Sequence, residues 1–434
     1  MQPSLLKSTV NDWLDFINQI HPKEMDFSLD RLFSLVEPLG LTRFKCPVVT
    51  VGGTNGKGSC VSFLETIFTE GGYRVGAFTS PHLLRFNERI RIGNNIVDDS
   101  ALIEAFNWVE HHRKQVSLTF FEYTFMTALY LFQKAELDLL ILEVGLGGRL
   151  DAVNVIDADI AVITTVDLDH TEILGSDRET IGREKSGIFR AGRAVVCGDP
   201  EPPASVRWAA EALAVDWHAL GDTFHYNDSI TNGQWRWWSG YIHHEHLPPI
   251  SLKKQNAATS LMVVELLRKR LSLSDAAIRQ GLAKTQLPGR FEKVSVADGF
   301  CYLDVAHNPQ GGRWLAEQWS QVEVKGKRLA VVGMLGDKDI AQTFQPLLNC
   351  VDVWYVVSLS VGRGATYQRL MSVLASQGVR QVLGFPTVEF AMESILGSAN
   401  FPDDVILVFG SFYTVTAAKH YLSRSVVTIG EKNA

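Results

Sequence analysis

Short apolar runs alternate with helix-length amphipathic stretches along this chain, and that alternation restricts the fold more than any other feature of the sequence. The runs PVVTVGG, RVGAFTS, DLLILEVG and DIAVITTV are largely apolar and rich in β-branched residues. Such runs are typical of strands that are buried on both faces, in a parallel sheet covered by helices. The sequence therefore predicts an α/β fold built on a parallel sheet.

The alternation breaks between Phe224 and His246, where aromatic residues are dense and an Asn-Gly pair stands at positions 232–233. Asn-Gly is the preferred centre of a two-residue hairpin turn, so we predict a small antiparallel insertion here. Three histidines lie in this segment, at positions 243, 244 and 246. Because no matching ligands flank them, we interpret them as surface residues and not as a metal cluster.

A second series of strands and helices follows the insertion. Helical periodicity returns in QNAATSLMVVELLRKRL and SDAAIRQGLAK, and the Pro-Gly pair of 287–290 ends it. The runs CYLDVAH, RLAVVGML, VWYVVSL and DVILVFG then read as strands. We therefore predict two domains, 1–290 and 291–434.

The stretch VVTVGGTNGKGSCVSFLETI reads as a strand, a glycine-rich turn and a helix. Backbone N–H groups of such a turn can wrap phosphate oxygens, Lys57 would add a cation, and Ser59 could bind magnesium. The strict pattern G-x-x-x-x-G-K-[ST] is not met, because Val51 replaces the first glycine and Gly58 separates Lys57 from Ser59. An ordinary glycine-rich turn is the alternative interpretation.

Two further apolar runs end in polar residues that suit a ligand site. Glu143 ends one run, and Asp169 and His170 follow another. Ligands of parallel sheets bind beyond the carboxyl ends of the strands, so Glu143 is a candidate magnesium ligand. Each residue alone is more often an ordinary polar group at a strand end. Together with Lys57 and Ser59 they indicate a nucleotide and metal site.

Composition narrows the remaining function classes. The five cysteines are odd in number and show no C-x-x-C spacing, which argues against a disulfide framework or a zinc site. A net charge of −7 without a basic block argues against binding to nucleic acid or to a membrane surface. No run of about 18 uncharged apolar residues and no signal-peptide pattern is present. We predict a cytoplasmic protein with small-molecule partners.

Five motifs in order, GTNGKGS, LEVGLGGRLDAVN, DLDHTEILG, REKSGIFR and DVAHNP, resemble those of dihydrofolate synthase/folylpolyglutamate synthase, a branch of the Mur ligase superfamily. The resemblance runs from about Trp13 to FGSFYTVTAAKHYL near the end of the chain, and the modified P-loop is the form typical of this family. It implies a P-loop ATPase domain with a small antiparallel insertion, followed by a Rossmann-like α/β domain. The implied activity is ATP-dependent addition of L-glutamate to dihydropteroate and to tetrahydrofolate through an acyl phosphate.

The resemblance also implies ligands for ATP and for magnesium, of which two ions are expected. Lys185 matches a lysine that the superfamily often carries as a carbamate; without the resemblance it would be read as a solvated helix lysine. The residues implied for ATP are Thr54, Asn55, Gly56, Lys57, Gly58, Ser59, Asn256, Arg290 and Asp304. Those implied for magnesium are Ser59, Glu143, His170 and Lys185.

Catalytic and folate-binding roles follow from the same resemblance. GGRLDA is the form typical of bifunctional members, in which the aspartate, here Asp151, reaches the pterin of dihydropteroate. For Phe121, packing in a helix core is the alternative. The implied catalytic residues are Lys57, His170, Lys185, Asp304 and His307, the last two contributed by the second domain. The implied pterin or folate contacts are Ser80, Pro81, His82, Phe121, Asp151 and Ala152.

Three other classes of protein are alternatives to this interpretation. A peptidoglycan Mur ligase would carry a uridine-nucleotide domain before the loop, and the segment before Gly52 is too short for one. A simple P-loop ATPase or kinase would not need the second domain. A non-catalytic binding protein would make the co-occurrence of Lys57, Glu143 and His170 accidental. By resemblance we expect a monomer, and which of the two glutamate additions occurs stays open.

Overall fold

The computed structural model describes residues 7–23, 26–228, 233–296 and 298–432, and residues 425–432 by their backbone alone. The chain divides into two compact units, Met1–Gln286 and Leu287–Ala434. Within the described ranges no helix is both long enough and apolar enough to cross a membrane.

An eight-stranded sheet forms the centre of the first unit. Its strands are β1 (Val48–Gly52), β2 (Val75–Phe78), β3 (Ile90–Ile92), β4 (Asn95–Ile96), β5 (Leu139–Glu143), β6 (Ile160–Ile163), β7 (Ala194–Cys197) and β8 (Asp216–Ala219). Their order is β4-β3-β2-β5-β1-β6-β7-β8. Neighbours from β2 to β8 pair in parallel, whereas β3 and β4 extend one edge as antiparallel strands. The predicted parallel sheet is confirmed.

The helices of the first unit pack on this sheet and on one another. They are α1 (Val10–Ile17), α2 (Asp30–Val36), α3 (Lys57–Glu70), α4 (Asp99–Arg113), α5 (Phe120–Lys134), α6 (Thr171–Leu174), α7 (Arg178–Ser186), α8 (Ala204–Ala212), α9 (Lys254–Leu267) and α10 (Asp275–Lys284), with short 3-10 helices at Phe86–Arg89 and Ala152–Val155. Helix α3 lies against α9, α10 and three strands and is buried along most of its length. This burial explains why its sequence carries few charged residues.

The predicted antiparallel insertion is confirmed as a three-stranded sheet of β9 (His225–Asp228), β10 (Trp235–Ser239) and β11 (Ile242–Leu247). The indole of Trp237 is fully buried and donates to the carbonyl of Ala258 in α9 at 3.0 Å, which fastens the insertion to the unit. The predicted Asn-Gly turn lies partly outside the described residues, since Asn232 is not described; Gly233 has a φ of +70°.

The interpretation of all three histidines in this segment as surface residues is wrong for His244. Its side chain is buried, with Nε2 2.9 Å from Oε1 of Glu265 and Nδ1 3.3 Å from Oδ1 of Asp275. The imidazole therefore joins β11 to α9 and α10. Sequence periodicity missed it because both partners come from helices that follow the insertion in the chain.

The second unit contains a six-stranded sheet with the order β12-β13-β17-β14-β15-β16. Only the β12–β13 pair is antiparallel, and the predicted Rossmann-like arrangement is confirmed. The strands are β12 (Glu292–Val296), β13 (Gly299–Asp304), β14 (Arg328–Val332), β15 (Val353–Val357), β16 (Val382–Phe385) and β17 (Val405–Phe409). The helices are α11 (Pro309–Ser320), α12 (Ile340–Phe344), α13 (Tyr367–Ser376), α14 (Val388–Ser398) and α15 (Phe412–Lys432), with a 3-10 turn at Gln345–Leu347.

The two compact units divide after Gln286. The domain boundary after residue 290 stays a prediction. The Pro-Gly turn belongs to the second unit because its backbone is bonded there. The N–H of Gly289 donates to Oε2 of Glu292 at 2.7 Å, and its carbonyl accepts from the N–H of Val305 at 2.9 Å.

Candidate active site

The glycine-rich turn connects β1 to α3, as the sequence predicted. Gly53 and Gly56 have φ angles of +142° and +92°, a region that favours glycine. A Cβ on Gly53 would lie 1.9 Å from Oγ1 of Thr164, and one on Gly56 would lie 2.5 Å from Oδ1 of Asn256. Both glycines are therefore required by close approach as well as by backbone angle, and Asn256 of α9 contacts the turn.

The segment that follows β6 holds this turn in place. The backbone N–H of Thr54 donates to the carbonyl of Thr165 at 2.7 Å, and that of Asn55 donates to Oγ1 of Thr165 at 3.2 Å. The hydroxyl of Thr164 donates to the carbonyl of Asn55 at 2.7 Å. The N–H groups of Thr54 and Asn55 thus make bonds to Thr165 that hold the loop in place. The N–H groups that a phosphate can approach lie further on, in the first turn of α3 before the first helical bond from Cys60.

The Lys57 side chain folds back over the turn that precedes it. Its Nζ donates to the carbonyl of Gly53 at 2.9 Å and to that of Thr54 at 3.1 Å. The ammonium is consequently held above the same backbone that would surround a phosphate. This placement agrees with the predicted role of Lys57 as the cation of the loop.

The predicted magnesium ligands flank the turn on both sides. Glu143 is aligned with Val51 across the β1–β5 pair, is 4% exposed, and accepts from the N–H of Ser80 at 3.1 Å. Ser59 is buried in the first turn of α3. His170 immediately precedes α6 with a φ of +50°, and its N–H donates to Oδ1 of Asp169 at 2.8 Å. Since β1 lies between β5 and β6, these residues share the carboxyl edge of the sheet.

In the part of the chain that the structure describes, no group of three or more His, Cys, Asp and Glu side chains is arranged to hold a metal ion. A metal site at this edge therefore needs other donors as well. Hydroxyl oxygen from Ser59, carboxylate oxygen from Glu143 and phosphate oxygen from a nucleotide are the hard ligands that Mg²⁺ prefers.

Lys185 is buried near the end of α7, with only 3% of its surface exposed, so the alternative of a solvated helix lysine is wrong. Burial, and next the positive charge of Lys57, lower the pKa of Lys185 to about 7, whereas Asp169 and Asp151 act in the opposite direction. The amine therefore loses its proton far more readily than an exposed lysine.

The GLGGRLDA segment packs on the end of α7. A Cβ on Gly148 would lie 2.8 Å from the carbonyl oxygens of Glu184 and Lys185, so only glycine permits this contact. Asp151 is buried and holds the segment together, because Oδ2 accepts from the N–H of Leu146 at 2.8 Å and Oδ1 from that of Val153 at 3.0 Å. Burial raises the pKa of Asp151 to about 6, although these backbone bonds oppose the shift.

The predicted folate contacts gather around this segment and the end of β2. Phe121 is half-buried, and a Cβ on Gly145 would lie 2.6 Å from its Cζ, so the ring contacts the loop that Asp151 organises. Ala152 is buried against the hydrophobic core, and Pro81 is exposed. His82 is half-buried, and its Nδ1 lies 2.8 Å from Nε of Arg89. Burial and this guanidinium lower the pKa of His82 to about 4.

In the second unit the predicted residues surround the end of β13. Asp304 is buried and accepts from the N–H of Ala306 at 2.7 Å and from that of Phe291 at 2.8 Å; burial raises its pKa, while Arg290 opposes the shift. His307 places Nδ1 2.8 Å from the carbonyl of Val305, which identifies Nδ1 as the protonated nitrogen. The guanidinium of Arg290 lies 5.2 Å from the ring centroid of Phe412.

Two residues at the site of the first unit, Thr164 and Thr165, were not found from the sequence. Thr164 and Thr165 read as the end of an apolar run, and the pair of hydroxyls was the only signal of their role in holding the turn. The resemblance includes Arg89 only as part of FNERIRI, which with Ser80-Pro81-His82 is similar to the family's mobile loop beside the pterin site. Two other arginines, Arg85 and Arg91, lie beside it in the chain. Composition gives no means of telling which of the three is buried.

Comparison with known proteins gives matches in both units. The Mur ligase middle domain matches residues 51–216, and the Mur ligase glutamate ligase domain matches residues 289–412. The dihydrofolate synthase/folylpolyglutamate synthase of Escherichia coli (strain K12) is 41% identical over 408 residues, which cover 94% of each chain.

Solved structures of folylpolyglutamate synthase/dihydrofolate synthase enzymes are similar to this chain over nearly its whole length. Escherichia coli FolC in complex with DHPP and ADP has a TM-score of 0.91 and 40% identity, over 97% of this chain and 99% of that one. A bifunctional folylpolyglutamate synthase/dihydrofolate synthase with Mn, AMPPNP and L-glutamate bound has a TM-score of 0.88 and 41% identity, over 96% and 99% of the two chains.

Proposed function

Because the chain belongs to the dihydrofolate synthase/folylpolyglutamate synthase family, it is an ATP-dependent ligase that adds glutamate in folate metabolism, and we propose that it accepts both dihydropteroate and tetrahydrofolate. The observation that carries the assignment to named residues is the glycine-rich turn between β1 and α3, with Glu143 on the strand beside it and a buried Lys185 close to Lys57. The GGRLDA form around Asp151 supports the dihydropteroate reaction.

The reaction has to overcome the poor reactivity of a carboxylate toward an amine. Transfer of the terminal phosphoryl group of ATP to the carboxylate gives an acyl phosphate, and attack by the glutamate amine then releases phosphate. Lys57 neutralises charge on the phosphoryl group as it moves, since its ammonium stands directly over the turn. The tight turn anchored by Thr164 and Thr165 keeps that geometry fixed.

The donor set at the edge of the sheet fits Mg²⁺. We propose that Ser59 and Glu143 hold one ion, and that His170 and a carbamate on Lys185 hold a second. Bound Mg²⁺ would screen the negative charge of the nucleotide phosphates. Glu143 is already oriented by the N–H of Ser80, which is the kind of outer hydrogen bond that fixes a ligating carboxylate.

The residues proposed for the second unit are Arg290, Asp304 and His307. Asp304 bonds the backbone of Phe291 and Ala306, and in that way orients the turn that carries His307. With Nδ1 bonded to the carbonyl of Val305, the other ring nitrogen of His307 is the one that can accept a proton. We propose that His307 and Asp304 act in catalysis, and that Arg290 and Asp304 bind ATP.

We also propose where the protein acts and how it assembles. The described cysteines are all unpaired, and four of them are buried, which suits the reducing cytoplasm. We propose a cytoplasmic monomer whose partners are ATP, L-glutamate and the two folate precursors.

The proposed pair of reactions is tested by phosphate release from ATP in the presence of L-glutamate, with dihydropteroate and tetrahydrofolate offered separately. We expect release with each acceptor and none when the acceptor is left out. Chelation of Mg²⁺ should abolish both reactions, and added Mg²⁺ should restore them. Release with only one acceptor would show that the chain is monofunctional, and release with neither would overturn the substrate assignment.

Asp151→Ala is expected to lower kcat/KM for dihydropteroate more than for tetrahydrofolate. A carboxylate that binds a pterin N–H in a buried site contributes about 1.5–3 kcal/mol, or about 10- to 150-fold. Each oxygen of Asp151 can accept a second hydrogen bond beside the backbone bond it already makes. The measurement is steady-state kinetics with both acceptors, together with thermal unfolding to follow the loop.

Asp157→Ala is the matched control for that substitution. Asp157 has an 80% exposed side chain and pairs with Arg190 at the surface. It should change both reactions by less than about twofold, as exposed ion pairs contribute little. Equal losses with the two acceptors in Asp151→Ala would mean that the carboxylate acts only through its own loop.

A further inference from the structure

Arg89 is a nearly buried arginine beside the proposed folate contacts. Only 8% of its surface is exposed, although the neighbouring Arg85 is 66% exposed at its side chain and pairs with Asp99 at the surface. Its guanidinium carbon lies 5.4 Å from the ring centroid of Phe120 and 5.8 Å from that of Phe86. Burial of a permanent cation is costly, so its position calls for a physical reason.

The partner of Arg89 is the imidazole of His82. Nε of Arg89 donates to Nδ1 of His82 at 2.8 Å. A guanidinium has no acceptor, so Nδ1 must be the unprotonated nitrogen of a neutral ring. The hydrogen of that ring is then on Nε2, and His82 can only donate from its second nitrogen. Arg89 therefore decides the tautomer of His82.

Hydrogen bonds constrain the backbone near both members of the Arg89–His82 pair. The carbonyl of Arg89 accepts from the N–H of Thr79 at 2.9 Å, which ties the arginine to the end of β2. The carboxylate of Glu88 accepts from the N–H groups of Leu83, Leu84 and Arg85 at 2.7–2.8 Å. These backbone bonds constrain the loop that carries His82, and the Arg89 bond orients its imidazole.

The same loop reaches the proposed metal ligand. The N–H of Ser80 binds Glu143, and the charges of Glu143 and Glu88 are close enough to stabilise the Arg89 cation. The carboxylate that becomes phosphorylated must approach this edge of the sheet, since the nucleotide turn lies beside Glu143. A donor is what a carboxylate needs from its surroundings, whereas an unprotonated ring nitrogen would repel it.

We propose that Arg89 is a positioning residue that holds His82 as a hydrogen-bond donor for the carboxylate of the folate acceptor. The proposal rests on the proposed function, because that function supplies the carboxylate. It goes further in naming the group that receives this carboxylate and the residue that controls its tautomer.

The tautomer is tested in the ligand-free protein, independently of turnover. Protein labelled with ¹⁵N-histidine is examined by NMR near pH 7, and the His82 signals are assigned by their absence in His82→Gln. We expect wild-type His82 to carry its hydrogen on Nε2. In Arg89→Met, which cannot donate, we expect a mixture of both tautomers, and in Arg89→Lys a return toward the wild-type pattern. Hydrogen on Nδ1 in the wild type would overturn the proposal, even if a variant failed to fold.

Kinetics separate positioning from a merely structural role. Arg89→Met should raise KM for the folate acceptor about tenfold while KM for ATP changes less than about twofold. Arg89→Lys should recover most of that loss, and Arg85→Met is the matched control that should change neither constant. An Arg89→Met protein with unchanged KM, or an Arg89→Lys protein that restores the tautomer without restoring KM, would contradict the proposal. Absence of turnover in the wild type would instead refute the proposed function, with the NMR result still deciding the tautomer.

Discussion

Replacement of Lys57 by alanine is expected to lower turnover with either acceptor by about 10²- to 10³-fold while the protein stays folded. The ammonium lies over the glycine-rich turn, and we propose that its charge acts on the phosphoryl group as it moves. The turn itself should survive, because Thr164 and Thr165 hold it through bonds that do not involve Lys57. The loss should therefore appear in kcat more than in the unfolding temperature.

The measurement is phosphate release with saturating ATP, accompanied by thermal unfolding. Lys284→Ala is the matched control, since Lys284 lies on α10 next to α3, is 60% exposed at its side chain and pairs with Glu70. It should retain activity within about twofold, because an exposed ion pair contributes little to stability. A folded Lys57→Ala protein with near-wild-type turnover would remove Lys57 from the mechanism.

The second large effect is expected for Lys185→Ala, which should lose at least about 10²-fold in turnover. We propose that this lysine is carbamylated and binds metal through the carbamate. An ammonium there would repel both Lys57 and Mg²⁺, whereas a carbamate would attract them. Carbamylation also requires a neutral amine, and the pKa of Lys185, lowered to about 7 chiefly by burial and then by Lys57, makes that form accessible at neutral pH.

Two measurements separate the carbamate from other roles. Wild-type protein kept in ¹³C-bicarbonate should show a protein-bound carbamate carbon that is missing in Lys185→Ala. Acetate or a similar small carboxylate should partly restore turnover in Lys185→Ala by supplying anionic oxygens in the vacated space. Neither effect is expected for Arg183→Ala, an exposed position on the same helix, which should stay active. Intact turnover in Lys185→Ala would exclude the lysine from the site.

The sheet and the nucleotide turn were predictable because their signals are local. Runs such as VVTVG and LLILE are buried at every residue, as expected for strands covered on both faces. The glycines of the turn were visible as glycines, and the structure shows that Gly53 and Gly56 need positive φ. Glu143 was placed at the carboxyl edge from its position at the end of an apolar run, and the register with Val51 confirms that placement.

Other features depended on partners that are distant in the chain. His244 reads as a surface histidine, yet its side chain is buried and bonded to Glu265 and Asp275. The N–H groups of Thr54 and Asn55 look available to phosphate, but Thr165 accepts one through its carbonyl and the other through its hydroxyl. No local pattern encodes such bonds.

The amino-acid sequence by itself thus determined the order of strands and helices, the glycine-rich turn and the family, because each depends on residues that are neighbours in the chain. Only the tertiary structure shows that Lys185 and Arg89 are buried. Nothing in the sequence around Lys185 or Arg89 separates them from their exposed neighbours. Lys185 is buried where α7 packs on the GLGG segment, and Arg89 is buried beside Phe120. Burial changes the charge and the tautomer that such groups prefer, so the chemistry of the site was set by folding.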